Sequence, residues 1–177
     1  EQPHKAAIEK IPKLRPAFAK DGTITAANSS SISDGASALV MMSGTEAEQR
    51  GLTPMARIVG HSRHSQAPEE FTIAPVGAIN KLFEKTGWTA DDVDLFEINE
   101  AFAMVTMLAI ADLGLDHEKV NVHGGACAQG HPIGSTGSPA APHAAGLALR
   151  CVAAADSSLS SDLAGAEVGS RGSTQTP

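Results

Sequence analysis

The sequence contains no tyrosine, a single tryptophan and five phenylalanines, so aromatic residues make up only 3% of its 177 positions. A core built around stacked rings is excluded; what core there is must be aliphatic and rich in alanine. Lysine and arginine number 13 against 20 acidic residues, a formal charge of −7. That balance lacks the basic footprint that nonspecific nucleic-acid binding needs, though it leaves room for a local pocket for a phosphate-bearing ligand. No apolar run reaches the roughly 18 residues of a membrane span, and no charged-then-apolar leader opens the chain. Neither nucleic acid nor membrane is therefore expected as a partner. The two cysteines, Cys127 and Cys151, form neither a metal-ligand spacing nor a disulfide framework, so a reducing, cytoplasmic setting is expected. The chain opens on Glu-Gln-Pro-His rather than methionine, which reads as a segment whose beginning lies elsewhere.

What is there is 42% hydrophobic residues, enough for a core, in an alternating order of elements. Residues 1–25 mix Lys, Pro and polar residues and read as a loop-rich entry. "TAANSSSISDGASALVMMS" leads from small polar residues into the apolar run Ala38–Met42, expected to be a buried strand. A short helix over Glu46–Arg50 stops at Gly51, and "MARIVGHS" reads as a strand. The clearest helix follows: Pro75 fits a first-turn position, Val76, Ile79, Leu82 and Phe83 share a face, and Gly87 stands at the C-terminal cap. Thr89 and Asp92 make a capping-box-like start to a short turn. "VDLFEIN" reads as a strand, "AFAMVTMLAIADLG" as an apolar helix closing at Gly114, and "KVNVHGG" as another short strand. Strands alternating with helices predict a layered α/β domain. From Pro139 the composition shifts to Ala, Ser, Gly and Pro. "HAAGLALRCVAAA" is compatible with a helix, and the remainder reads as a flexible tail.

Two polar features lie just past expected strands. One is Asn99-Glu100-Ala101-Phe102. The other is "GGACAQGHPIGSTGS", five glycines around a single His-Pro pair at His131. Glycine loses more conformational entropy on ordering than any other residue, so such a run implies close backbone approach or positive φ. Ligands of open α/β sheets gather outside the carboxyl ends of the strands. If both strands end at one edge, the Asn99 amide and the His131 imidazole share a crevice, where they can polarise a carbonyl oxygen. The residues alone also allow simpler roles. Asn99 suits the N-cap of a helix beginning at Glu100, and Glu100 suits a first-turn acid favoured by the helix dipole. His131 fits a hydrogen-bonded loop residue, and Cys127, flanked by alanines, fits packing better than nucleophilic attack. "HSRH" at His61–His64 lacks nearby cysteine or carboxylate ligands, so no metal site is assigned. The glycine loop ends in neither Gly-Lys-Ser/Thr nor the dinucleotide pattern, so no nucleotide loop is assigned.

Taken together, "NEAFA" from Asn99 and "NVHGGACAQGHPIGSTG" from Asn121 resemble the two internal signatures of the thiolases, the acetyl-CoA acetyltransferase family. "TAANSSSISDGASALVMMS" followed by "RGLTPMARIVG" resembles the junction between the two halves of that family. The likeness runs from Glu1 to about Ser138. It implies a thiolase-like layered αβα fold, incomplete: residues 1–50 would end the N-terminal half, 51–138 would form a truncated C-terminal domain, and 139–177 would be an atypical tail. A shifted reading frame or a divergent C-terminus would account for that tail.

The resemblance also implies roles. His131 would donate to a thioester oxygen, and Asn99 would position the water completing that oxyanion hole. Ser30 would lie near the pantetheine arm of coenzyme A, and Gly130 and Phe102 would adjoin the substrate. The substrate would be a coenzyme A thioester with no separate cofactor, the reaction Claisen condensation or thiolysis through an acyl-cysteine, and the intact assembly a homo-oligomer. Both reactive cysteines of the family fall outside the motifs present here, so the chain by itself is expected to be inactive. The alternative expectation is a noncatalytic module that binds coenzyme A or oligomerises.

Overall fold

A computed structural model of the chain describes residues 7–136 and two further strand segments, 150–154 and 161–167. In order, α1 spans Gly44–Gln49, β1 Arg57–His64, α2 Ala74–Thr86, β2 Leu95–Ile98, α3 Ala103–Leu113, α4 Ala126–Gln129, β3 Arg150–Ala154 and β4 Ser161–Glu167. The strands form one sheet in the order β1-β4-β3-β2. β4 is antiparallel to both β1 and β3, whereas β2 runs parallel to β3, with Leu95 opposite Cys151 and Ile98 opposite Ala154. Helix α2 lies against β1 and β4 and touches α3.

The core forms where α2 and α3 present their apolar faces. α2 has proline in its first turn and ends at Gly87, whose φ of +73° gives the left-handed C-cap expected from the sequence. Ile79 and Leu82 are fully buried, with Val76 and Phe83 packed beside them, so the inferred face is the one that packs. Val93, Phe96 and Ile98 meet them from β2 and its approach, and Val105 and Ala109 from α3. Each fully buried Ile, Leu or Phe stabilises the fold by about 1.5–3 kcal/mol relative to an exposed one. Thr89 and Asp92 form the reciprocal capping box, which fixes the approach of the chain into β2.

Four expectations fail in instructive ways. Ala38–Met42 is not a strand, and Val40 and Met41 are 89% and 71% exposed. A strand needs a ladder partner, and this run has none among the described residues. "KVNVHGG" is not a strand either: a single bridge joins Val120 to Phe96, and the chain then turns at Asn121, whose φ is +49°. The apolar helix starts at Ala103, with Phe102 as its N-cap residue, rather than at Glu100. Finally, the expected tail contributes β3 and β4, so Arg150–Ala154 is a strand and not part of a helix. Alanine favours a helix over a strand by intrinsic propensity, but that preference is weak and tertiary pairing overrides it here. The rest of residues 137–177 lies outside the described residues.

Candidate active site

The site assembles at the carboxyl end of β2. Val120 bridges to Phe96, and the Asn121 backbone N–H donates to the Phe96 carbonyl at 2.8 Å, so the chain follows the free edge of β2 before leaving it. Asn121 then reaches back with its side chain. Its Oδ1 accepts from the Ile98 N–H at 2.7 Å, and its Nδ2 donates to the Ile98 carbonyl at 2.8 Å and to Glu100 Oε1 at 3.2 Å. In effect the amide mimics one more residue of a paired strand. Both polar features of the sequence are thereby brought to one edge.

Glu100 is the second tie. Its Oε2 accepts from the backbone N–H of Cys127 at 3.2 Å, in the first turn of α4. Its carboxyl group fills the space beside Gly125, where an added Cβ would come within 2.2 Å of it. Gly125 has an ordinary φ of −101°, so it is required for room and not for backbone freedom. Gly130 is required for the other reason: its φ of +93° lies where side chains are rarely tolerated. It turns the chain out of α4 and presents His131. The glycine loop thus serves both purposes at different positions. Glu100 acts on the loop rather than capping a helix, which corrects the first-turn reading.

A third tie comes from the N-terminal segment. Ser30 donates to the Ala101 carbonyl from both its backbone N–H, at 3.1 Å, and its hydroxyl, at 2.9 Å. Ala103 donates to the Asn28 carbonyl, while the His131 N–H donates to the Ser31 carbonyl at 2.9 Å. Residues 28–31 therefore staple the loop that carries Asn99 to the loop that carries His131. Phe102 packs its ring between Phe18 and Phe71, with centroids 5.9 and 6.0 Å away. Its ring contacts are thus aromatic, and Gly130 is buried.

Asn99 and His131 meet. Asn99 Nδ2 lies 3.5 Å from His131 Nε2, and Asn99 Oδ1 is buried with no hydrogen-bond partner among the described residues. Asn99 is not the N-cap of the following helix, because α3 begins four residues later. A buried amide oxygen without a partner costs about 1–3 kcal/mol, the kind of cost that persists where a ligand is to be met. On its other side, His131 Nδ1 is 2.7 Å from Thr136 Oγ1. Burial pushes the His131 pKa down from its ordinary 6.5, so the ring is neutral in neutral solution. Cys127 is a different case. Burial first, and then the Glu100 charge, push its thiol up to about 11, and its S–H points at the Glu100 carbonyl 3.6 Å away. It is a packed thiol, not an activated nucleophile.

Two family models match the chain: the thiolase C-terminal domain over residues 52–155 and the thiolase N-terminal domain over residues 1–45. This chain belongs to the thiolase family. The C-terminal match continues past Ser138, through β3. Among relatives of this thiolase chain, the acetyl-CoA acetyltransferase of Chromobacterium violaceum is 50% identical over 76% of the chain and 34% of its own length. The cytosolic acetyl-CoA acetyltransferase of Mus musculus is 49% identical over 76% of the chain and 34% of its own. The chain spans about a third of the length of these relatives. A crystal structure of an Ascaris suum thiolase in complex with coenzyme A matches with a TM-score of 0.90 at 37% identity, covering 95% of this chain and 46% of that one. Human mitochondrial 3-ketoacyl-CoA thiolase matches with a TM-score of 0.88 at 36% identity, covering 94% and 44%. The thiolase-like α/β fold is therefore established for the chain.

Among the site residues, Glu100 and Asn121 were not singled out as loop ties, nor was Thr136 as the partner of the histidine. The available signal was the asparagine three positions ahead of the Gly-Gly pair, a residue type that tolerates the left-handed turn found there.

Proposed function

We propose that the chain carries part of the substrate site of an acetyl-CoA C-acetyltransferase, an enzyme of Claisen condensation and thiolysis of acyl-CoA thioesters. The observation that carries this reading is the meeting of the Asn99 amide with the His131 imidazole at the carboxyl end of β2. A carbonyl oxygen placed there meets donors held in position before the reaction, so stabilising its developing negative charge requires little reorganisation. Ser30, Gly130 and Phe102 belong to the substrate-binding surroundings on this reading, with the coenzyme A thioester itself as ligand. The acetyltransferase names of relatives near 50% identity support the substrate class, and the cytosolic names of the mouse and rat relatives support a cytoplasmic location. No helix among the described residues is long and apolar enough to cross a membrane. Residues 1–50 then close an N-terminal half and 51–138 open the C-terminal one, within an assembly of identical subunits.

Acyl transfer through a covalent intermediate needs an activated thiolate. The chain has only two cysteines; the Cys127 thiol is held protonated to about pH 11, and Cys151 lies twenty positions past His131 without the Gly-rich context that the resemblance calls for. The isolated chain is accordingly inactive in this account. Assaying acetoacetyl-CoA thiolysis tests it: the expected result is no turnover, and robust turnover refutes the inactivity. A second reading, a noncatalytic module that binds coenzyme A or self-associates, draws on the exposed Val40 and Met41. Calorimetry with coenzyme A alongside sedimentation separates it from a merely incomplete enzyme.

A further inference from the structure

We propose that Thr136 is a positioning residue that sets the tautomer of His131: its hydroxyl donates to Nδ1, which places the ring proton on Nε2, the nitrogen facing Asn99. The inference deepens the functional reading above and rests on it for its purpose, though not for its geometry.

Three observations converge. First, Thr136 Oγ1 lies within reach of two acceptors, His131 Nδ1 at 2.7 Å and the Pro132 carbonyl at 2.9 Å, and it has one proton to give. The Pro132 carbonyl already accepts from the backbone N–H groups of Ser135 at 2.8 Å and Thr136 at 3.0 Å. Its two lone pairs are taken, whereas Nδ1 has no other partner than this hydroxyl among the described residues. The proton therefore goes to the ring.

Second, the imidazole is neutral at neutral pH because burial disfavours its charged form. A neutral ring has one donor and one acceptor nitrogen, so a donor at Thr136 makes Nδ1 the acceptor and Nε2 the donor. The opposite tautomer would aim a lone pair at the place where a thioester oxygen is to be stabilised, and would repel it.

Third, the same assignment gives the orphaned amide oxygen a donor. Asn99 Oδ1 is buried without a partner, while Nδ2 stands 3.5 Å from Nε2. Oxygen and nitrogen of a side-chain amide exchange places on a half-turn about the terminal bond. With the amide turned, Oδ1 faces the Nε2–H and accepts from it. At 3.5 Å this bond is long, so the proton remains available to a better acceptor. Nδ2 then stands where Oδ1 stood, and presents an N–H where the oxygen had none to offer. One proton placement accounts for the hydroxyl, the ring and the amide oxygen together, and leaves the turned Nδ2 as the amide atom without a partner among the described residues.

Heteronuclear NMR of the isotope-labelled 177-residue chain at about pH 8, above the ordinary histidine range, reads the tautomer through the correlations of ring nitrogens with ring protons. His131 is assigned by its loss in H131N. The expected spectrum has a protonated Nε2 and an acceptor Nδ1. T136V is expected to lose this single state and give a mixture of both tautomers, and T136S to restore it. A protonated Nδ1 in the native chain overturns the proposal, as does an unchanged tautomer in T136V. The native spectrum decides the assignment even if T136V fails to fold. No ligand is present in the measurement, so the two ideas fail separately. Absence of acetyl-CoA binding with Nε2 protonated sinks the functional reading alone, and binding with Nδ1 protonated sinks the tautomer assignment alone.

Discussion

Replacing Gly125 with alanine puts a methyl group where the Glu100 carboxyl now lies. An added Cβ stands 2.2 Å from that group, far inside van der Waals contact. The backbone at Gly125, φ −101° and ψ −172°, is ordinary extended geometry, so alanine brings no conformational strain of its own. The whole cost comes from displacing Glu100, which gives up its bonds to the Asn121 amide and the Cys127 N–H, each 3.2 Å long. Hydrogen bonds to a charged group contribute about 1.5–3 kcal/mol each, and a half-buried carboxylate recovers part of this from water. About 2 kcal/mol in all is expected, a fall in Tm of roughly 4–8 °C for a chain of this size. The decisive assay is a double-mutant cycle by thermal denaturation. Glu100→Ala is expected to cost a similar amount, and Gly125→Ala added to it almost nothing, giving a coupling close to the full single-mutant value. Additive effects, with G125A just as costly without the Glu100 carboxylate, would refute the claim that glycine is there to admit the glutamate.

Other consequences follow from the same geometry. Leu82→Ala is expected to destabilise by about 2–5 kcal/mol, because its side chain is fully buried between α2 and the sheet; a loss under about 1 kcal/mol in denaturant titration would contradict that placement. His131 titrates below 6.5 in the folded chain, so the unfolded state binds more protons on acidification. Its contribution to stability is full above the unfolded pKa and declines as pH falls through 6.5 and below; an NMR titration midpoint above 6.5 contradicts this. Cys127 is expected to resist iodoacetamide at neutral pH and to react faster in Glu100→Gln, since part of the elevation toward about 11 comes from that charge. The modified peptide is identified by mass spectrometry, to separate it from Cys151, and equal rates in both proteins would contradict the electrostatic contribution.

The parts legible in the sequence were those governed by local chemistry. α2 was marked at both ends by Pro75 and Gly87 and along its length by Ile79 and Leu82, and the turn before β2 by Thr89 and Asp92. The pairing of Asn99 with His131 was legible because both follow segments that track the same strand end. The misreadings share one cause: each involves a partner far away in sequence. Ala38–Met42 has the composition of a strand, but a strand is made by its neighbours. Glu100 looked like a helix-dipole acid because nothing local shows that its carboxylate bonds to Asn121 and Cys127, 21 and 27 residues on. β3 and β4 were hidden for the same reason, since small residues carry little pattern until a sheet selects them.

The most direct test of the account is a titration of carbonyl-labelled acetyl-CoA into the chain, with the thioester carbonyl followed by NMR. Hydrogen bonds from His131 and Asn99 are expected to polarise that carbonyl and displace its resonance, with the displacement lost in both His131→Ala and Asn99→Ala. A resonance that stays at its free position, or one displaced equally in the two variants, would contradict the claim that these side chains receive the thioester oxygen.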